Sequence, residues 1–162
     1  MSVINPQRIV DERIIENLTD DFYEVQQNGI DLTLESISLI TGGVLKKDSR
    51  KIDEYIEVEC EKGIYKLMPG AYSIEFNQKI KVPENMCAQI VQRSTLNRMG
   101  AFILSGVYDS GFSNKIGAVL RVDVPIEVEK GVRIAQIMFF EAESASLYQG
   151  IYNQSNDLPQ QD

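Results

Sequence analysis

"IGAVLRVDVPIEVE", residues 116–129, carries the clearest periodicity in the chain. Ile116, Ala118, Leu120, Val122, Val124, Ile126 and Val128 all fall on even positions, the period of two that sets one face of a strand against a core. Pro125 has no N–H to give to a ladder, so a single unbroken central strand is excluded. A hairpin with an even-length turn near Asp123 keeps the alternation intact, and the stretch is read that way.

Working outward, "RIAQIMFF" (residues 133–140) lacks alternation and reads as a strand buried on both faces, apart from Gln136. Upstream, Ile30, Leu32 and Leu34 face one way and Asp31, Thr33 and Glu35 the other. The parity slips after Ser36 to Ile37 and Leu39, which marks a bulge or bend. Further short strands are expected near residues 55–59, 72–82 and 88–92, with "MPG" and "VPEN" as turns. "TGGVLKKDSRKIDE" (residues 41–54) reads as a polar, exposed connection. At the N-terminus, Asn5 is an N-cap and Pro6 a first helical residue, and Val10, Ile14 and Leu18 recur every four positions, so a short amphipathic helix is expected. There is no internal repeat. The chain reads as one all-β domain over residues 1–154 with one or two short helices, followed by a flexible polar tail at 155–162.

The length of 162 residues suffices for a real core, and the net charge of −8 argues against a polyanion-binding surface spread over the molecule. No polymeric nucleic acid is expected as a partner. Two cysteines are too few for a disulfide scaffold. No signal peptide is evident, and no apolar run approaches the roughly 20 residues of a membrane helix, so a soluble, cytoplasmic protein is expected. The chain has no histidine. Ser-His and Cys-His pairs, His-containing zinc sites and the His-x-Glu zinc deaminase signature are therefore absent. Catalysis would have to run on carboxylates, hydroxyls, Arg, Lys, Tyr or an exogenous metal.

The polar chemistry gathers in "RSTLNRMGAFILSGVYDSGF", residues 93–112. Ser94 can cap a one-turn helix that Gly100 closes, and Arg93 and Arg98 flank it. Such a helix start with guanidinium forks suits phosphate oxygens; equally, it is a capped turn whose arginines pair with surface carboxylates. Asp109 stands in a Gly-bracketed turn with Phe112 three residues on. That is either an Asx-type turn or a carboxylate set to orient and deprotonate water.

In this order the motifs resemble the trimeric dUTPase and dCTP deaminase superfamily, roughly over residues 25–154. "QQNGIDLTL" is similar to the first motif. "KLMPGAYSIEFNQKIKVPENMCAQIVQRSTL" is similar to the stretch that ends in the second, and "RSTLNRMG" is close to the deaminase branch. "GVYDSGF" resembles the third motif in its dUTPase and bifunctional form, "KGVRIAQIMFF" the fourth, and "YQGIYNQ" the deaminase branch's terminal segment. The resemblance implies a distorted β-barrel or jelly-roll subunit, a homotrimer, and active sites built between subunits. Asp109 would activate the attacking water. Arg93, Ser94 and Gln136 would hold the phosphates, with Thr95 in the same substrate-binding set and Mg2+ carried by the triphosphate. Phe112 would lie against deoxyribose, and the 116–128 hairpin would read the pyrimidine through its backbone. Arg98, Tyr148 and Gln149 are substrate contacts carried over from the deaminase branch. Asp31 is either a support of the metal's water shell or a solvent-facing strand residue.

The deaminase branch needs a Glu ten residues beyond the third motif's Asp, and that position is Val119. It lies on the odd face of the 116–128 run with Arg121 and Asp123, where it either points toward the pocket or is ordinary packing under another subunit. The expected activity is hydrolysis of dUTP to dUMP and pyrophosphate. A dCTP deaminase, a bifunctional enzyme, a deoxynucleotide-binding regulator and a structural jelly-roll protein are the alternatives.

Overall fold

Strand β2 (Ile30–Leu39) organises the molecule by belonging to two layers at once. Its first half pairs with β14 (Arg133–Glu141), Asp31 opposite Gln136, and its second half pairs with β8 (Gly70–Lys81), Ile37 opposite Ile74. The change of partner falls where the ladder slips between Leu34 and Ser36, the position of the parity break in the sequence. The backbone freed there is satisfied from one turn: Leu34 N–H donates to the Val132 carbonyl at 3.0 Å and Gly131 N–H to the Leu34 carbonyl at 2.8 Å. The bulge thus bends one strand across a corner at no cost in orphaned polar groups.

A computed structural model describes residues 2–19 and 24–153; the tail expected at 155–162 lies outside the described residues. The other elements are α1 (Pro6–Asp11), β1 (Ile15–Glu16), β3 (Gly43–Lys46), β4 (Ser49–Ile52), β5 (Ile56–Glu57), β6 (Cys60–Glu61), β7 (Ile64–Leu67), β9 (Met86–Gln92), α2 (Ser94–Arg98), β10 (Ala101–Leu104), β11 (Val107–Tyr108), β12 (Ser113–Val122) and β13 (Ile126–Glu129). The main antiparallel sheet runs β10-β12-β8-β2-β14-β9-β11, with β1 added on β8 and β5 on β2; β13-β7-β6 forms a small second sheet and β3-β4 a hairpin. The main sheet curls until β10 comes beside β9, where Ile103 N–H donates to the Gln92 side-chain oxygen at 3.4 Å. This is the expected all-β, distorted-barrel architecture. Its interior holds Leu32, Leu34, Ile37, Ile74, Phe76, Leu120, Ile137 and Phe139, each 2% exposed or less.

Three local expectations are corrected. The N-terminal helix is capped by Asn5, which accepts from Gln7 N–H at 2.9 Å, but it ends at Asp11. Arg13 then takes a left-handed φ of 54°, and Ile15 pairs with Ile80. The i, i+4 spacing of Val10 and Ile14 spans a helix end, because a place beside β8 buries Ile14 and Ile15 together. Residues 41–54 contain the exposed β3-β4 hairpin in place of a plain connection.

The 116–128 run is not a hairpin. Strand β12 ends at Val122, and β13 pairs with β7 in the second sheet, Val128 opposite Tyr65. Pro125 sits in the crossing between sheets, where no ladder N–H is needed. Alternation survives on both sides, yet Val124 within the crossing is 49% exposed.

Candidate active site

Asp31 is completely buried, so its carboxylate must be paired or pay the full cost of leaving water. Its position opposite Gln136 brings the Gln136 amide onto Oδ1 at 2.9 Å. On Oδ2 it receives Arg133 Nη1 at 3.2 Å and the Gln26 amide at 3.5 Å, and Arg93 Nη1 stands 3.7 Å away. Arg93 also donates to the Arg133 carbonyl at 3.3 Å. The two arginine side chains remain 34% and 37% exposed, so one buried carboxylate holds two cationic forks near the surface. The solvent-facing alternative for Asp31 is therefore wrong: the odd face of this half of β2 is covered as well as the even one, with Thr33 buried against Gln78.

Arg93 follows directly on β9 and keeps extended backbone, φ −73° and ψ 147°, as the N-cap of α2. Ser94 is thus the first helical residue and not the cap; the helix starts one residue late because strand geometry runs through Arg93. Gly100, φ 73°, closes the turn as expected. Ser94, Thr95 and Arg98 are exposed. A cleft of about 230 Å³ opens here, lined by Arg93, Thr95, Met99, Arg133 and also Glu127 and Glu129. It is not a plain anion trap; its offering is two guanidinium groups with fixed direction.

The other site residues form a second cluster. Asp109 is exposed in a tight turn closed by Phe112 N–H donating to its carbonyl at 3.1 Å. Phe112 is buried between two rings met edge-on, Tyr108 at 4.9 Å and Tyr148 at 5.6 Å. Tyr148 N–H donates to the Ser110 carbonyl at 2.7 Å, and Gln149 beside it is exposed. Asn153 fastens this C-terminal segment: its side chain accepts from Ser113 N–H at 2.6 Å and donates to the Gly111 and Tyr148 carbonyls, each at 3.2 Å. Val119 lines a separate cleft of about 330 Å³ with Leu104, Ser105, Gly106, Lys115 and Gly117.

The two clusters lie at opposite ends of β9. Tyr108 is opposite Ala88, so Asp109 falls level with Cys87 near the start of that strand, while Arg93 follows its last residue. At about 3.3 Å per residue the separation is roughly 20 Å. Sequence reasoning missed Arg133, Tyr108 and Asn153. Arg133 had a signal, since a charged residue three before Gln136 flanks a buried strand that also needs a partner for Asp31. Tyr108 and Asn153 had none, because both act through contacts remote in sequence.

The curled sheet is the fold of a solved enzyme: the crystal structure of 2'-deoxycytidine 5'-triphosphate deaminase from Agrobacterium tumefaciens matches with TM-score 0.67 at 17% identity, over 86% of this chain and 48% of that one. This chain spans about half that enzyme's length. A family profile described as dCTP deaminase-like matches residues 5–142. The deoxyuridine 5'-triphosphate nucleotidohydrolase of Methanocaldococcus jannaschii is 37% identical over 147 residues, covering 87% of this chain and 93% of its own. The probable deoxyuridine 5'-triphosphate nucleotidohydrolase of Methanopyrus kandleri is 34% identical over 152 residues, 89% of this chain and 98% of its own. The chain belongs to the dCTP deaminase-like family, within the dUTPase and dCTP deaminase superfamily.

Proposed function

We infer that this chain hydrolyses dUTP to dUMP and pyrophosphate with Mg2+, as a cytoplasmic homotrimer whose sites are shared between copies. The observation that carries this reading is the separation along β9: paired arginines suited to a phosphate chain at one end, an exposed carboxylate in a tight turn at the other. In-line attack of water on phosphorus needs both sets within reach of one substrate, so a second copy must bring the missing half. The relatives named deoxyuridine 5'-triphosphate nucleotidohydrolase support the substrate. The two free cysteines fit a reducing compartment.

In this reading Arg93, Ser94 and Thr95 receive the phosphates, and Gln136 contributes the second N–H of an amide already steadied on Asp31. Asp31 anchors the arginines; with both oxygens turned to guanidinium and amide groups, it is ill placed to support a metal's water shell. Asp109 takes the proton from the attacking water. Phe112 meets deoxyribose once Tyr148 yields, and Arg98, Tyr148 and Gln149 close on the substrate. Among the described residues no group of three His, Cys, Asp or Glu side chains is gathered to hold a metal. The family resemblance implies Mg2+ carried on the triphosphate, an ion ordinarily held by one or two carboxylates together with phosphates and water. When bound it would neutralise charge on the triphosphate.

The test measures pyrophosphate and ammonia with dUTP, dCTP and dTTP. Pyrophosphate from dUTP is expected, and no ammonia from dCTP, because Val119 cannot relay protons. Asp109→Asn should keep nucleotide binding and lose about 10²-fold or more in kcat. Near wild-type turnover in that variant would reject Asp109 as the base. Ammonia from dCTP would make the chain a deaminase, and binding without any product would make it a regulator.

A further inference from the structure

Gln78 is an amide with no exposed surface, and the chemistry proposed for the site gives it no part. Its place in β8 shows what it does. Strand β8 runs beside β2 as far as Phe76, opposite Leu34, and then leaves it for β1, with Lys79 opposite Glu16 and Ile80 opposite Ile15. Across the opening the Gln78 side chain acts as a rung between β8 and β2. Its oxygen accepts from Thr33 N–H at 3.0 Å, and its nitrogen donates to the Thr33 hydroxyl at 2.9 Å and to the Asn17 carbonyl at 3.3 Å. The neighbouring Asn77 amide donates to the same hydroxyl at 2.9 Å and to the Thr33 carbonyl at 3.4 Å. Every polar atom of Thr33 is thereby held from β8.

Thr33 stands where the arginine pair is aimed. It lies opposite Arg133, and alternation along β2 puts it on the same face as Asp31. Leu34, the next residue, fixes the backbone leading into Arg133 through its bonds with Gly131 and Val132. The β14 ladder slips between Arg133 and Ala135. On that stretch the Arg133 carbonyl accepts from Arg93 Nη1 and the Ile134 carbonyl from Arg93 N–H, each at 3.3 Å. The corner of β2 therefore sets where Asp31, Arg133 and Arg93 stand relative to one another. Side-chain hydrogen bonds, in place of a regular ladder, hold that corner against β8.

An acceptor alone would satisfy the Thr33 N–H. The Gln78 amide goes further, with two donors at fixed angles that are both used, so it fixes a direction as well as a contact. We propose that Gln78 is a positioning residue of the phosphate end, acting through Thr33 to hold the β2 corner at which Asp31 aims Arg93 and Arg133. The inference rests on the dUTP reading for its ligand, but its test does not use hydrolysis.

Affinity for α,β-imido-dUTP with Mg2+ is measured by calorimetry on the full chain, for wild type, Gln78→Leu, Thr33→Val and Thr33→Ser, beside urea unfolding of each. Folded Gln78→Leu and Thr33→Val should bind the analogue about ten-fold more weakly, the factor that one hydrogen bond of ordinary net strength represents. Thr33→Ser keeps both the hydroxyl and the N–H, so it should bind as wild type does even where its unfolding midpoint falls. A structural role alone would move the midpoints and leave the affinities of the folded proteins equal, and that result overturns the proposal. Thr33→Ser binding as weakly as Thr33→Val overturns it too. If Gln78→Leu does not fold, the comparison of Thr33→Val with Thr33→Ser decides. Turnover of dUTP by wild type, with equal affinities across the variants, leaves the function standing and removes this inference. No binding of the analogue by wild type removes the phosphate reading itself, and the inference with it.

Discussion

A carboxylate with no exposed surface and two arginines leaning on it is a costly polar arrangement. Asp31 is buried to the last atom, yet each of its oxygens has a donor within 3.2 Å, and the charge it carries orients groups that reach solvent. Asp31→Asn keeps the shape and removes the charge, leaving Arg93 and Arg133 to repel each other across a neutral amide. The arginines are partly exposed, so water screens some of the loss, and the expected cost is about 1–3 kcal/mol in urea denaturation. A purely structural role would change stability alone. If Asp31 also aims the arginines, KM for dUTP should rise about ten-fold with kcat much less affected, the signature of lost substrate binding.

Among the elements, the segment after β14 shows how a short stretch without regular structure is held. Residues 148–153 dock on the Asp109 turn and the start of β12 through one aromatic contact, the Tyr148 N–H bond to Ser110, the Asn153 side-chain bonds with Ser113 and Gly111, and the Asn114 amide donating to the Tyr152 carbonyl at 2.8 Å. Such a strap has little buried apolar area and opens locally without unfolding the sheet. Asn153→Ala should therefore speed amide hydrogen exchange at Tyr148 and Ser113 by about ten-fold or more, because each lost bond is worth about 0.5–1.5 kcal/mol. The thermal midpoint should move little. Equal protection in the variant would show that Phe112 and Tyr148 hold the strap unaided. The crossing at residues 123–125 shows a different control: Asp123 N–H donates to the Gly100 carbonyl at 2.9 Å, and the chain is steered out of one sheet before Pro125 and into the other.

For the whole molecule, one copy holds the Arg93 and Asp109 clusters at opposite ends of β9 and leaves apolar side chains at its margins. Phe102, Leu104 and Val107, between 37% and 58% exposed, lie on the strands that end the main sheet. They are area that neighbouring copies would cover. If each site takes Asp109 from one copy and Arg93 from another, random mixing of equal amounts of Asp109→Asn and Arg93→Ala subunits makes half of the first and half of the second intact. About one quarter of the sites should then be complete, and activity should return from two inactive proteins. Unfolding and refolding the mixture, followed by a dUTP assay, measures this. No recovery, with trimers shown to have exchanged, would mean that both residues serve one site within a single copy.

Period-two patterning, the Pro and Gly turns and the polar run from Arg93 to Phe112 were legible in the sequence, because side-chain alternation and turn chemistry are local properties of the backbone. They sufficed for an all-β domain and singled out Arg93 and Asp109, one from each cluster, but not Arg133, Tyr108 or Asn153. Pairing partners were not legible. The run after Ile116 looks the same whether it folds back as a hairpin or passes to a second sheet, since alternation records which face is apolar and not which strand lies alongside. Helix length failed at Arg13 for the same reason: Ile14 and Ile15 answer to β8, far along the chain. The solvent-facing alternative for Asp31 stayed open in the sequence because its partners Arg133 and Gln136 stand more than one hundred positions away, and burial of a charge is decided by the groups that tertiary structure brings to it. The distance between the two clusters emerged only in three dimensions, because Arg93 and Asp109 are sixteen residues apart in sequence yet lie at opposite ends of one strand.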